Sequence, residues 1–304
     1  MILKTLAVIF LAANPLLAFD YFGTAAPKRT PERTSVVQAA FLPLPKPNLE
    51  PTLPIRNHAV EIFQATASSA LVFNINTRQI LFAKEIFEPR PIASLTKLMT
   101  AALAVKKIPA EQVVVISQSA VDTPEQIGNL AVDEKVGFGN LLHLLLLSSS
   151  NDAAAAIAES YPGNLVEEMN QTAKDWGLEK TVFEDPHGLS SNNRSNAWEL
   201  AQIMAEAIEN TEILSIMQKD AADVPSEGGL FASHHIVNTN KLLNHGSGVF
   251  AGKTGYTEEA GQCMVVASKA PNNDTLITVV LNAPDRLNET RNLLNWTLNA
   301  YIWR

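Results

Sequence analysis

The chain of 304 residues contains a single cysteine, Cys263, so an internal disulfide framework and a cysteine-built zinc site are both excluded. Charged residues make up only 18% and aromatics 7%. No block of five like charges occurs, and 23 basic against 31 acidic residues leave a net charge of −8. A general affinity for nucleic acid phosphates is therefore not expected. There is no internal repeat and no G-x-G-x-x-G fingerprint. What is present is ordinary globular composition, 46% hydrophobic, which rules out wholesale disorder and collagen-like structure. The length accommodates one large domain or two modest ones.

Charge is unevenly placed. Six basic residues (Lys4, Lys28, Arg29, Arg33, Lys46, Arg56) face three acidic ones (Asp20, Glu32, Glu50) through residue 56, so the remainder carries a strong negative excess. Residues 1–18 follow the order of a secretory signal: a charge at Lys4, an apolar run from Leu6 to Ala13, then Leu16-Leu17-Ala18 after a proline, ending on a small residue. The run is shorter than the ~20 residues that span a bilayer. Leu16 stands where a cleavage site would have a small residue, so an uncleaved N-terminal anchor is the competing reading. Residues 19–57 hold prolines at 27, 31, 43, 45, 47, 51 and 54 and show neither helical nor strand periodicity. They read as an extended, unstructured linker. The body is expected at 58–304, exported to the periplasm or the outer face of the cytoplasmic membrane.

In the body, Ala70–Ile75 and Gln79–Phe82 read as strands around a turn at 76–78. Ser94–Lys107 has apolar residues at helical spacing. Asn140–Leu147 (NLLHLLLL) is apolar nearly all round, the mark of a buried helix. Helices are also expected at 152–159, 165–176, 198–208 and 212–218. Gln262–Ser268 and Thr275–Asn282 are β-rich, and Arg286–Ile302 closes the chain as an amphipathic helix. Strands at both ends and helices between them predict an α+β fold: an antiparallel sheet of about five strands, flanking helices, and an inserted all-helical lobe.

Three short motifs carry chemistry when taken together. Ser94-Leu95-Thr96-Lys97 is S-x-x-K at a helix start, where residues three apart share a face and Lys97 can reach the Ser94 hydroxyl. A serine needs such a base, and lysine serves only when burial lowers its pKa. Ser149-Ser150-Asn151 breaks abruptly from the apolar helix: a hydroxyl to pass a proton and an amide to hold a carbonyl. Lys253-Thr254-Gly255 opens the β-rich tail and suits a carboxylate, with glycine leaving room for a peptide backbone. Each alone reads as a cap or a turn. In this order, 55 and then 104 residues apart, they match the S-x-x-K, S-x-N, K-T-G set of penicillin-interacting serine enzymes.

On these residues the chain resembles the low-molecular-mass penicillin-binding proteins, the serine-type D-alanyl-D-alanine carboxypeptidases of the β-lactamase/transpeptidase-like fold. The likeness extends to 91–100, to Phe183–Ser190, to Asn238–Leu243 and to Asn282–Arg286 with Arg291. The resemblance implies that Ser94 forms an acyl-enzyme with the penultimate D-Ala, Lys97 takes its proton, and Ser149 returns a proton to the leaving D-alanine. Asn151 would position the substrate amide, and Lys253 and Thr254 would bind the carboxylate. Gly255 would admit the peptide, and the N–H groups of Ser94 and Tyr256 would form the oxyanion hole. Peptidoglycan stem peptides are the implied substrates and β-lactams the implied covalent inhibitors. No metal or cofactor is implied, and membrane contact would come only through the N-terminus. Ala260–Cys263 is closer to the endopeptidase branch, so a D,D-endopeptidase is the alternative; a β-lactamase and a non-catalytic wall-peptide sensor rank lower. Cys263 is expected to be buried and His187 to structure a loop. His234-His235 with Glu227 is a poor metal set.

Overall fold

The computed structural model describes residues 52–125, 128–230, 232–243, 246 and 248–304. The expected signal at 1–18 and the linker through residue 51 lie outside the described residues. The end of that expected linker belongs to the body: Ile55 and Arg56 pair antiparallel with Ile302 and Tyr301. Arg56 also lies over the Trp296 ring, 5.1 Å from its centroid. A two-residue strand beside prolines has no periodicity to read, which is why sequence patterning placed the boundary later, at 58.

Five strands form one antiparallel sheet: β1 (Ser69–Asn74), β2 (Gln79–Lys84), β3 (Val249–Thr257), β4 (Gly261–Lys269) and β5 (Thr275–Ala283), in the spatial order β3-β4-β5-β1-β2. The ends of the chain therefore meet at the β5–β1 pair, with Leu276 opposite Asn74 and Leu281 opposite Ser69. Side chains alternate across a strand, and here both faces are covered. Leu71, Ile277, Val279 and Leu281 enter the larger core, which holds the helical lobe. Ala70, Val72, Leu276 and Val280 enter a second core with Leu293 of the closing helix. Burial on both faces explains why β5 reads as a continuous apolar run.

The longer helices among the described residues are α1 (Lys97–Lys107), α2 (Phe138–His143), α3 (Asn151–Ser160), α4 (Leu165–Asp175), α5 (Ala197–Glu209), α6 (Thr211–Met217) and α7 (Arg286–Ala300). Helix α7 stops two residues before the expected end, because Tyr301 and Ile302 turn extended to pair with Ile55 and Arg56. Helix α1 is buried from Lys97 to Ala104, between lobe and sheet. The apolar run expected as one helix divides: α2 passes into a π-helical turn at Leu144–Ser148. The wider turn ends on Ser149 with φ +66°, and the Ser150 N–H still reaches the Leu144 carbonyl at 3.1 Å. Single π turns recur at functional sites because they displace one side chain from the helical repeat.

The lobe also holds two hairpins, Val113–Val115 with Lys135–Gly137 and Ala221–Pro225 with Ser233–Val237; the first strand is expected from its apolar run at 113–116, the other three are not. The three unexpected strands are short and mixed in polarity, KVG, AADVP and SHHIV. The second hairpin is held by a buried pair, His234 Nε2 to Glu134 Oε1 at 2.5 Å, with Ala131 N–H donating to the same carboxylate at 2.7 Å. Burial pushes the Glu134 carboxyl up, but the hydrogen bonds from His234, Ser226 and Ala131 together hold it below its ordinary value. This contribution to stability is present above the unfolded carboxylate range and is lost as pH falls through the lower folded value. Replacing His234 by alanine should destabilise the fold by about 2 kcal/mol at neutral pH, read as a fall in the thermal midpoint.

Candidate active site

The nucleophile segment enters as a 3-10 turn, Ala93–Thr96, that runs directly into α1. Side chains three apart eclipse in a 3-10 turn, which stacks Ser94 against Lys97. The Lys97 amine contacts Ser94 Oγ at 2.9 Å, Asn151 Oδ1 at 2.7 Å and the His187 carbonyl at 2.6 Å. The side chain is fully buried. Burial lowers its pKa from 10.5 to about 7, against the opposing pull of Asp185, Asp152 and Glu125. At neutral pH the amine is thus divided between a protonated form and a form able to accept a proton. Asn151 Oδ1 and a peptide carbonyl can only accept hydrogen bonds. In the neutral amine both N–H bonds go to those two oxygens, and the lone pair faces the Ser94 hydroxyl.

The second motif lies opposite. Ser149, in its left-handed conformation, accepts a hydrogen bond from the Lys253 amine at 2.7 Å. Lys253 also donates to the Thr254 carbonyl at 3.0 Å and is fully buried. Burial, then the charges of Lys97 and Arg286, push its pKa well below the ordinary lysine range. Thr254 Oγ1 donates to Thr239 Oγ1 at 2.8 Å. Asn151 Nδ2 donates to the carbonyls of Pro124 and Glu125 at 3.2 and 3.0 Å.

A cavity of about 240 Å³ opens on these groups, lined among others by Ser94, Ser149, Asn151, Thr254, Gly255 and Tyr256. Six of the eight residues singled out from sequence therefore face one cleft, and Lys97 and Lys253 stand directly behind it. Strand β3 passes close to the nucleophile: a Cβ on Gly255 would lie 3.1 Å from Ser94 N and 3.0 Å from the Ile92 carbonyl. Cys263 is buried on β4, where desolvation raises its thiol to about 11, as expected of an inert residue. His234 and His235 contact Glu134 and Asp223, not Glu227.

Sequence reasoning did not assign Thr239, Arg286, Asp185 or Asn193 a place at the site. Arg286 lines the cleft and donates from Nη1 to the Gly255 carbonyl at 2.8 Å, the one cationic side chain among the lining residues. Its position after the helix cap Asp285 gives no sequence signal of a distant cleft. Asp185 and Asn193 lie behind Lys97 and Thr96. An Asp-Pro-x-Gly run does mark a turn, though not what the turn holds.

A family model described as D-alanyl-D-alanine carboxypeptidase matches residues 56–285. The chain is 33% identical over 232 residues to a D-alanyl-D-alanine endopeptidase of Pseudomonas aeruginosa, covering 72% of each chain. It is 31% identical over 258 residues to D-alanyl-D-alanine carboxypeptidase DacA of Haemophilus influenzae, covering 77% of this chain and 62% of that one. Among solved structures, the Streptomyces K15 DD-transpeptidase superposes with a TM-score of 0.75 at 26% identity, over 79% of this chain and all of that one.

Proposed function

The chain belongs to the D-alanyl-D-alanine carboxypeptidase family, and we propose that it is an exported serine peptidase that removes the terminal D-alanine from peptidoglycan stem peptides through an acyl-enzyme on Ser94. The observation that carries this reading is the contact between Ser94 Oγ and a buried Lys97 amine whose other two neighbours can only accept.

The reaction we propose gives each group the step that the family resemblance implies, and the distances above support it. Ser94 Oγ attacks the carbonyl of the D-Ala-D-Ala bond as its proton passes to Lys97 Nζ. The N–H groups of Ser94 and Tyr256 receive the developing oxyanion. The intermediate collapses as Ser149 relays to the departing nitrogen the proton that Lys97 took from Ser94, with Lys253 Nζ at 2.7 Å holding the relaying oxygen, so that Ser149 ends as a hydroxyl and Lys97 as a neutral amine. Water then hydrolyses the ester on Ser94. The substrate carboxylate lies against the Thr254 and Thr239 hydroxyls and the Arg286 guanidinium, with Lys253 behind them. Lys253 Nζ donates to Ser149 Oγ and to the Thr254 carbonyl, two of the three hydrogen bonds an ammonium can give. Penicillin presents a strained amide and a carboxylate to the same groups and acylates Ser94.

Release of D-alanine from a pentapeptide ending in D-Ala-D-Ala tests the activity. A folded protein that binds penicillin covalently and releases none is not a carboxypeptidase. The names of the relatives from Pseudomonas aeruginosa and Escherichia coli favour a second reading, a D,D-endopeptidase that cuts cross-links between stems. Purified cross-linked muropeptides separate the two: cleavage supports the second reading, and intact dimers remove it. Export rests on the N-terminal signal pattern, and N-terminal sequencing of the secreted protein checks it.

A further inference from the structure

The Lys97 amine is oriented by two acceptors, and only Asn151 belongs to the three motifs. The other, the His187 carbonyl, sits in the loop 184–193, and the structure shows what fixes that loop. Asp185 Oδ1 accepts from the N–H groups of His187 at 3.0 Å and Gly188 at 2.5 Å, and it meets the His187 ring at 2.9 Å. Asp185 Oδ2 accepts from Ser190 N–H at 2.7 Å. Asn193 is fully buried. Its Nδ2 donates to Asp185 Oδ1 at 2.9 Å, to the Asp185 carbonyl at 3.1 Å and to Thr96 Oγ1 at 3.2 Å. Its Oδ1 accepts from the N–H groups of Glu184 and Asp185, and its backbone carbonyl accepts from Ile92 N–H at 3.0 Å. One side chain thus ties the His187 loop to the 3-10 turn that carries Ser94.

We propose that Asp185 and Asn193 are positioning residues that hold the His187 carbonyl against Lys97 Nζ, so that the neutral amine keeps its lone pair on the Ser94 hydroxyl. A carbonyl has no conformational freedom of its own, so its aim is as good as the turn that carries it. A tripod of N–H groups closed on one carboxylate makes that turn rigid, and Asn193 sets its register against the nucleophile. The inference rests on Lys97 being the base of acylation.

The test is the second-order rate of acylation by a fluorescent penicillin as a function of pH, for the wild type, Asp185→Asn, Asn193→Ala and Lys97→Ala. Rates are read per labelled molecule, so a partly unfolded sample loses amplitude and not rate. The charged and titratable groups around Lys97 are Asp185 and His187 from the loop, Asp152 from α3, Glu125 from the facing turn and Lys253 from β3. Both loop variants should lower the high-pH plateau at least about tenfold. In Asp185→Asn the midpoint should also move to lower pH, because a carboxylate that favours the protonated amine is gone. In Asn193→Ala that carboxylate remains, and the midpoint should stay. With a D-Ala-D-Ala peptide, kcat should fall in both and KM should not. Wild-type plateaus in both variants, with Lys97→Ala silent, overturn the proposal and leave Lys97 as the base. A lowered plateau in Asp185→Asn supports the positioning role whether or not its midpoint moves. Wild-type acylation by Lys97→Ala overturns the base assignment itself.

Discussion

Lys97→Ala should acylate with penicillin at least about a thousandfold more slowly than the wild type, and more hydroxide should restore little of the loss. The magnitude follows from what the amine does. An unassisted serine hydroxyl is a poor nucleophile at neutral pH, and no second base touches Ser94 Oγ among the described residues. In the wild type the dependence on pH has a definite sign. Burial brings Lys97 to about 7, so below that value the amine is protonated and has no lone pair to offer. Acylation should rise with pH through about 7 and level above it. The same shift has a cost for the fold. An unfolded lysine binds its proton up to about pH 10.5, so the Lys97 contribution becomes less unfavourable as pH rises from 7 towards that value. Activity and the intrinsic cost of burying an amine are linked at this one side chain.

Gly188→Ala should abolish most activity and destabilise the protein together. Gly188 has φ +90°, a conformation side chains rarely adopt. A Cβ there would lie 2.1 Å from the Ala93 carbonyl oxygen, 2.4 Å from its carbon and 2.9 Å from Ser94 N. All three are backbone atoms and cannot rotate away. Ala93 is itself in the left-handed region at φ +47°, so the nucleophile turn has little freedom to yield. The loop must move off, taking the His187 carbonyl with it. A loss of about 3 kcal/mol is expected, seen as a thermal midpoint lowered by about 5–10 °C. Acylation by penicillin should fall about a hundredfold, since a displacement near 1 Å has that effect on a reacting pair. A variant that keeps both its midpoint and its acylation rate would show that loop and turn are not in rigid contact.

The motifs were legible because their chemistry is local. Ser94 and Lys97 lie one turn apart, and Lys253, Thr254 and Gly255 lie on consecutive positions of one strand, so their spacing already fixes their relation. The sheet was legible from its ends, since β1, β2, β4 and β5 are buried on one or both faces and their apolar runs show it. The π turn was not, because Leu144–Leu147 pack equally well in an α-helix and the wider turn depends on how Ser148 and Ser150 bond back to Leu144. Arg286 and Asn193 were not legible as site residues for a different reason. Arg286 acts through a carbonyl 31 residues away, and Asn193 reaches Thr96 from 97 residues on. No local pattern encodes such a meeting. The hairpin Ala221–Pro225 with Ser233–Val237 is tied to Glu134 by a buried acid and imidazole 100 residues apart, again invisible to periodicity.

The account depends on one oxygen carrying the acyl group. Mass spectrometry after exposure to penicillin, followed by peptide mapping of the wild type and of Ser94→Ala, measures this directly. A single adduct on the peptide containing Ser94, absent from the variant, is the predicted result. An adduct that persists in Ser94→Ala, or that maps to Ser149 or another side chain in the wild type, would contradict it.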